Sequence, residues 1–223
     1  MTEEERRAIR VVSMDMWGAY RQAVRKRLRY AEIVADRFHV MKQLNHQIDL
    51  MRRSIQRRAK KEGNEALYQA LKGSRWVLLK NRHTLAPEQG TQLGKILAVS
   101  DELRTIYLLK EEFHIICDKI TDRTRAQRFV WAWTGKALAV GGRYLSRFVK
   151  TLQNWWHEFL NYFDDLSRMR QVCASLLPGA EVRRHLLWRY SIVWRKTALS
   201  SWNGGRRDEV SDRASAAAVY RGR

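Results

Sequence analysis

Ile9-Arg10-Val11-Val12-Ser13-Met14-Asp15 and Ala31-Glu32-Ile33-Val34-Ala35-Asp36 are two short apolar runs that each stop at an aspartate. Between them, Trp17, Tyr20, Val24 and Leu28 recur at helical spacing, while Arg21, Arg25, Lys26 and Arg27 fill the other face. The pattern predicts strand, helix, strand. A connection of this length joins parallel neighbours, because antiparallel neighbours need only a tight turn. Asp15 and Asp36 are then expected at one carboxyl edge, where open α/β sheets keep their sites.

Outward from this unit the patterns are helical. Residues 1–8 read as a frayed helical lead-in. Met41, Leu44, Ile48, Met51 and Ile55 form one narrow apolar seam, predicting a helix over Val40–Lys61 with Gly63 as its stop. Arg52, Arg53, Arg57, Arg58, Lys60 and Lys61 crowd its last turns, where cations suit the helix dipole. A short helix is expected over Glu65–Lys72, and Ser74–Lys80 fits either a helix or an extended run. Pro87 suits an early helix position, leading to Leu93, Ile96 and Leu97. Asp101 is expected to cap a helix holding Ile106, Leu109, Phe113 and Ile116. Thr121 or Asp122 would cap another, with Phe129, Trp131 and Trp133. After a break at Gly141-Gly142, a last long helix carries Leu145, Val149, Leu152, Trp156, Phe159 and Phe163.

The 223 residues allow one or two domains, and a hydrophobic content of 45% supports a core. The net charge of +20 favours a polyanionic partner, nucleic acid before an anionic membrane. No apolar stretch approaches the roughly 18 residues of a membrane span. The acidic-then-basic start lacks the apolar segment of a secretory signal. Cys117 and Cys173 form no CxxC pair, which argues against structural zinc and a disulfide framework. A cytoplasmic, reducing location fits.

Asp15-Met16-Trp17-Gly18-Ala19-Tyr20, Ile33-Val34-Ala35-Asp36-Arg37-Phe38-His39-Val40, Asn45 and Arg52-Arg53 closely resemble the bacterial insertion-sequence transposases of the ISL-three type. The resemblance runs from about Ile9 to Asp165 and is most specific at Asp36-Arg37-Phe38-His39. It implies a DDE enzyme with an RNase H-like catalytic domain, bacterial and acting on double-stranded DNA. By this resemblance the chain starts at the family's fourth strand, after the strand with the first aspartate. Residues 63–165 match its all-helical insertion. The expected fold is mostly α: a partial RNase H-like α/β remnant of two parallel strands plus helices over residues 1–62, then the helical insertion. Residues 166–223 depart from the pattern. Arginine replaces lysine almost completely, Ser200-Ser201-Trp202-Asn203-Gly204-Gly205 and Ala214–Ala218 read as irregular, and the family's Asn-Gly, Glu-Gly, Asn block is missing. The nearest acid, Glu181, does not match it. The segment is read as basic, weakly structured and out of frame.

DDE chemistry needs three carboxylates around two divalent ions about 3.5–4 Å apart, and the hard cation Mg²⁺ is the expected cofactor. The resemblance assigns Asp15 as the second catalytic aspartate and a metal ligand. On residue type alone, an aspartate at a strand end is more often a turn or cap residue. Asp36 and His39 support the motif. Asp36 is expected to orient the backbone as a helix cap, and His39 to contact DNA or back the metal site, with a satisfied helix start carrying equal weight. The 52–61 cations are candidate phosphate contacts, although a basic helix face is commonly only solvated. Trp131, Trp133, Trp155 and Trp156 could stack on bases, but their spacing fits core better. A homo-oligomer is compatible with the sequence. The competing readings are a non-catalytic basic DNA-binding or regulatory protein, and a helical protein that binds membranes or acidic partners. The strand pair and the motif disfavour the last.

Overall fold

The computed structural model describes residues 2–140, 142–164 and 218–221. Helix α1 (Glu3–Ala8) is closed by a capping box, with the Thr2 hydroxyl accepting from Glu5 N and the Glu5 carboxylate accepting from Thr2 N. It leads directly into β1 (Ile9–Met14), α2 (Gly18–Arg27) and β2 (Glu32–Ala35). β1 and β2 pair in parallel, with Val12 opposite Ile33 and Met14 opposite Ala35. The two parallel strands expected are present, and a third strand joins them to give the order β2-β1-β3. β3 (Ala218–Arg221) runs antiparallel to β1. Four residues of the segment expected to be weakly structured therefore form a strand. The expectations for residues 166–217, including Glu181, lie outside the described residues.

The chain divides into two compact units that do not follow contiguous sequence blocks. One contains residues up to Val40, Thr121–Arg123 and the described residues from Trp155 onward. The other contains Met41–Ile120 and Thr124–Asn154. In the first unit, Ile9, Val12, Met14, Ile33 and Trp155 form the core, with Tyr20, Val24 and Leu28 of α2 packed against it. Trp17 belongs to the same sequence stripe but is 51% exposed, with its ring edge-on to Tyr20. The stripe therefore begins to pack at Tyr20, in the first turn of α2.

Helix α3 (Arg37–Lys61) starts three residues earlier than its apolar seam indicates. All five seam residues are buried. Past its end, Gly63 takes φ +70°, the left-handed conformation that glycine adopts without a Cβ clash, and Asn64 N donates to Ala59 O. Helices α4 (Glu65–Leu71), α5 (Arg75–Leu79), α6 (Pro87–Ala98), α7 (Asp101–Lys119), α8 (Arg123–Val140) and α9 (Gly142–Asn154) follow. Pro87 is the first residue of α6. Ser100, not Asp101, caps α7, its hydroxyl accepting from Leu103 N. Asp101 instead lies in the first turn, where its charge still suits the dipole. The last helix is not continuous. Trp155 interrupts it, and residues 156–164 resume helical structure.

The second unit is built around aromatic rings. Phe113, Trp133 and Phe148 pack mutually at centroid separations of 4.7, 5.4 and 5.8 Å, and Trp133 Nε1 donates to Leu109 O. Phe129 and Trp131, grouped with Trp133 in sequence, are 49% and 67% exposed. Helix α8 instead buries Ala126, Val130, Trp133 and Ala137, a three-and-four spacing that leaves Phe129 and Trp131 off the stripe. Lys110 is wholly buried. Its Nζ donates to Leu78 O and Lys80 O at the end of α5 and lies 2.8 Å from Glu111 Oε1. Burial pushes this ammonium below its ordinary pKa, against the attraction of Glu111.

Trp133→Ala is expected to destabilise the protein by about 3–5 kcal/mol through cavity formation. Trp131→Ala should change stability by less than about 0.5 kcal/mol. Urea unfolding of both variants measures the contrast, and equal losses would contradict the assigned core.

Candidate functional site

The parallel pairing brings Asp15 and Asp36 to the same end of the sheet. Each directly follows the last paired residue of its strand, and Asp36 N donates to Met14 O at 2.8 Å, tying the two strand ends together. Beyond Asp15 the chain turns tightly, with Trp17 N donating to Asp15 O at 2.9 Å, and enters α2.

The two carboxylates have different surroundings. Asp36 caps α3: one carboxylate oxygen accepts from Phe38 N at 2.9 Å, the other lies 2.8 Å from His39 Nδ1, and its carbonyl accepts the helix's first bond from Val40 N. Both of its oxygens are engaged locally, and His39 is turned towards Asp36. Asp15 makes no such commitment. Its Oδ1 is buried and has no hydrogen-bond partner among the described residues. A buried carboxylate oxygen without a donor is costly unless a cation or donor reaches it.

This oxygen suits a hard cation as one ligand. The described residues supply no more than that, since no group of three His, Cys, Asp or Glu side chains among them could hold a metal ion. They do not make up a two-metal centre. Two aromatic side chains stand beside this edge: Trp17 and Phe38, each two residues past an aspartate, are more than half exposed.

The six cations of α3 have separate fates. Arg52 is 9% exposed. Its Nε donates to Asp49 Oδ1 and its Nη1 to Gln56 Oε1 and Leu71 O, so it is a structural group rather than a surface contact. Arg53 is half-exposed and grips Asp49 Oδ2 through Nε and Nη2, while Arg75 Nε lies 3.4 Å from the same oxygen. Arg58 pairs with Glu102 at 2.6 Å, and Arg57 Nε donates to Arg53 O. Lys60 and Lys61 are exposed and form no ion pair among the described residues. Among the tryptophans, Trp155 is buried and Trp156 half-buried.

A charged clamp in the strand-bearing unit is not legible in sequence. Glu158 is 4% exposed and accepts from Arg25 at 2.8 Å, with Arg21 at 3.5 Å. The Arg21 guanidinium also lies 4.2 Å from the Trp155 ring centroid. Asn161 Nδ2 donates to Ile33 O, and Arg123 binds both Asn161 and Asp164. Residues 155–164 are thereby fastened to the strands. The sequence offers the basic face of α2 (Arg21, Arg25), but such a face is commonly solvated and does not identify Glu158 as its partner.

A family model described as a transposase, the DDE type of ISL3 elements, matches residues 1–169. The transposase for insertion sequence element IS1001 of Bordetella parapertussis is 28% identical over 153 residues, which is 68% of this chain and 37% of that relative. The chain thus spans little more than a third of the relative's length. No solved structure matches the chain significantly.

Burial raises the Asp49 carboxyl, but hydrogen bonds and charge from Arg53 and Arg52 outweigh burial and hold it below its ordinary value of 3.8. The folded form therefore binds fewer protons than the unfolded form just below pH 3.8. The contribution is complete above that pH and is lost as pH falls through the depressed folded value. Asp49→Asn is expected to flatten the acid limb of stability in this window, read from urea unfolding between pH 2 and about 5.

Asp36→Ala should cost about 1 kcal/mol through removal of the cap, with Asp36→Asn retaining most of it. Equal losses in the two variants would contradict the capping role.

Proposed function

Because the chain belongs to the DDE transposases of the ISL-three type, we propose that it carries part of the machinery that cuts and joins insertion-sequence DNA. The observation that carries this reading is the buried Oδ1 of Asp15, without a hydrogen-bond partner among the described residues, at the carboxyl edge of a parallel strand pair inside the matched region. The role is that of a metal-ligating catalytic carboxylate, and Mg²⁺ is the cation whose oxygen preference it fits. Asp36 and His39 support the edge through the α3 cap and take no metal while so engaged.

The DNA partner is supported by the charge of +20 and by cations that form no ion pair among the described residues. Lys60, Lys61 and Arg57 are the phosphate contacts proposed on α3. Arg53 and Arg58 contribute less, since each already holds a carboxylate, and Arg52 is removed from the set. Double-stranded DNA in a bacterial cytoplasm is the proposed setting. None of the described helices is long and apolar enough to cross a membrane.

The family match ends at residue 169, close to where the sequence stops resembling the family at Asp165. We propose that the reading frame changes there. Translating the coding DNA past codon 165 in the other two frames is expected to uncover an Asn-Gly, Glu-Gly, Asn block; its absence from both rejects the idea. The 223-residue polypeptide with Mg²⁺ or Mn²⁺ and cognate ends is expected neither to nick nor to join strands. Asp15-dependent strand transfer would show that carboxylates beyond the described residues complete the site.

Duplex DNA should bind at low salt with little sequence preference and weaken steeply as salt rises. Lys60→Ala with Lys61→Ala should lower the slope of log K against log[salt] by up to about 1.8, roughly 0.9 for each phosphate no longer neutralised. Fluorescence anisotropy over a salt series tests this, and an unchanged slope would remove these lysines from the interface.

A further inference from the structure

We infer that the strand-bearing unit holds a second contact for the phosphodiester backbone of nucleic acid, in a cationic cavity lined by α1 and the C-terminal end of α2. The inference rests on the DNA-binding reading above and locates a site that the family motif does not touch. The cavity has a volume of about 330 Å³, and its wall includes Glu3, Arg6, Lys26, Arg27, Arg29 and Tyr30. Four cations therefore face one carboxylate. That carboxylate is already shared: Glu3 Oε2 lies 2.9 Å from Arg6 Nη2, and its Oε1 lies 3.6 Å from Arg7 Nε. Arg6 Nε is buried and has no hydrogen-bond acceptor among the described residues. Lys26, Arg27 and Arg29 are at least partly exposed and form no ion pair among the described residues.

The charge excess has a local cause. Helix α2 carries Arg21, Arg25, Lys26 and Arg27 and no acid. Glu158 answers Arg21 and Arg25, and the partial negative charge at the helix C-terminus offsets only part of the remainder. Like charges gathered at one wall repel, and an anion entering the cavity relieves that repulsion. Guanidinium groups bind phosphate oxygens through paired N–H donors. Because Lys26, Arg27 and Arg29 lie at the surface, a strand carrying successive phosphates can run across them, which an enclosed pocket for one small anion would prevent. Arg7 lies 5.8 Å from the centroid of the Tyr30 ring that lines the cavity.

The test uses the full chain carrying Lys26→Ala, Arg27→Ala and Arg29→Ala together, with the Lys60→Ala/Lys61→Ala variant in parallel. Thermal unfolding should be unchanged in the triple variant, since all three side chains reach the surface. The slope of log K against log[salt] for duplex DNA should fall by about 2–3, at roughly 0.9 for each phosphate released. The two sets of substitutions should act additively. Normal wild-type binding with an unaltered slope in the triple variant overturns the inference and leaves the DNA-binding reading standing. No wild-type binding at low salt overturns both. Loss of binding to phosphatidylserine vesicles, with DNA affinity unchanged, would assign the cavity to a membrane surface and so also overturn the inference.

Discussion

Met14 and Ala35 end two strands that run in the same direction, and that parallel pairing governs what the strand-bearing unit can do. Parallel neighbours require a crossover, here α2, which must then cover one face of the sheet. Tyr20, Val24 and Leu28 do so, packing against Ile9, Val12, Met14 and Ile33. The same geometry delivers the residues after both strands to one edge. The bond from Asp36 N to Met14 O carries the ladder one step past the strands and fixes where Asp36 begins α3. Among the described residues Asp15 has no equivalent partner for its buried oxygen, so two aspartates in like positions differ in chemistry.

Charge is managed in the same way in both units. A chain with this excess of arginine and lysine has few acids, and its buried carboxylates serve several cations at once. Asp49 receives Arg52, Arg53 and Arg75, while Glu158 receives Arg21 and Arg25. Removing the acid from such a hub leaves desolvated cations without partners, which costs more than the pairs themselves contribute. Cations with no hub remain at the surface: Lys60 and Lys61 at the end of α3, and Lys26, Arg27 and Arg29 around the end of α2. A basic segment in this protein is thus part scaffold and part free charge, side by side along one helix.

Much of the local structure was legible in the sequence. Short branched runs ending in aspartate marked β1 and β2, and the Met41-to-Ile55 seam marked the buried face of α3. Gly63 marked its end, and Asp36 its cap. These features depend on residues within one or two turns of each other, where periodicity and capping chemistry act directly. The start of α3 was misplaced because the cap at Asp36, not the first apolar residue, sets where the helix begins.

Packing between elements settled the rest. Trp131 and Trp133 are two positions apart, yet one faces solvent and the other fills the core, because Phe113 and Phe148 come from other helices to meet Trp133. Arg52 and Arg53 are adjacent and identical in type, but the carbonyl of Leu71 and the side chain of Gln56 draw only Arg52 inward. The partner of Arg25 lies far along the chain at Glu158, and the third strand of the sheet is supplied by Ala218–Arg221. Which residues form most elements, and the apolar seam of α3, could be read from the chain alone, since those are properties of near neighbours. Which charges are buried, which aromatic rings remain exposed and which carboxylate is left without a donor depend on the elements packed against them, and only the folded chain brings those together.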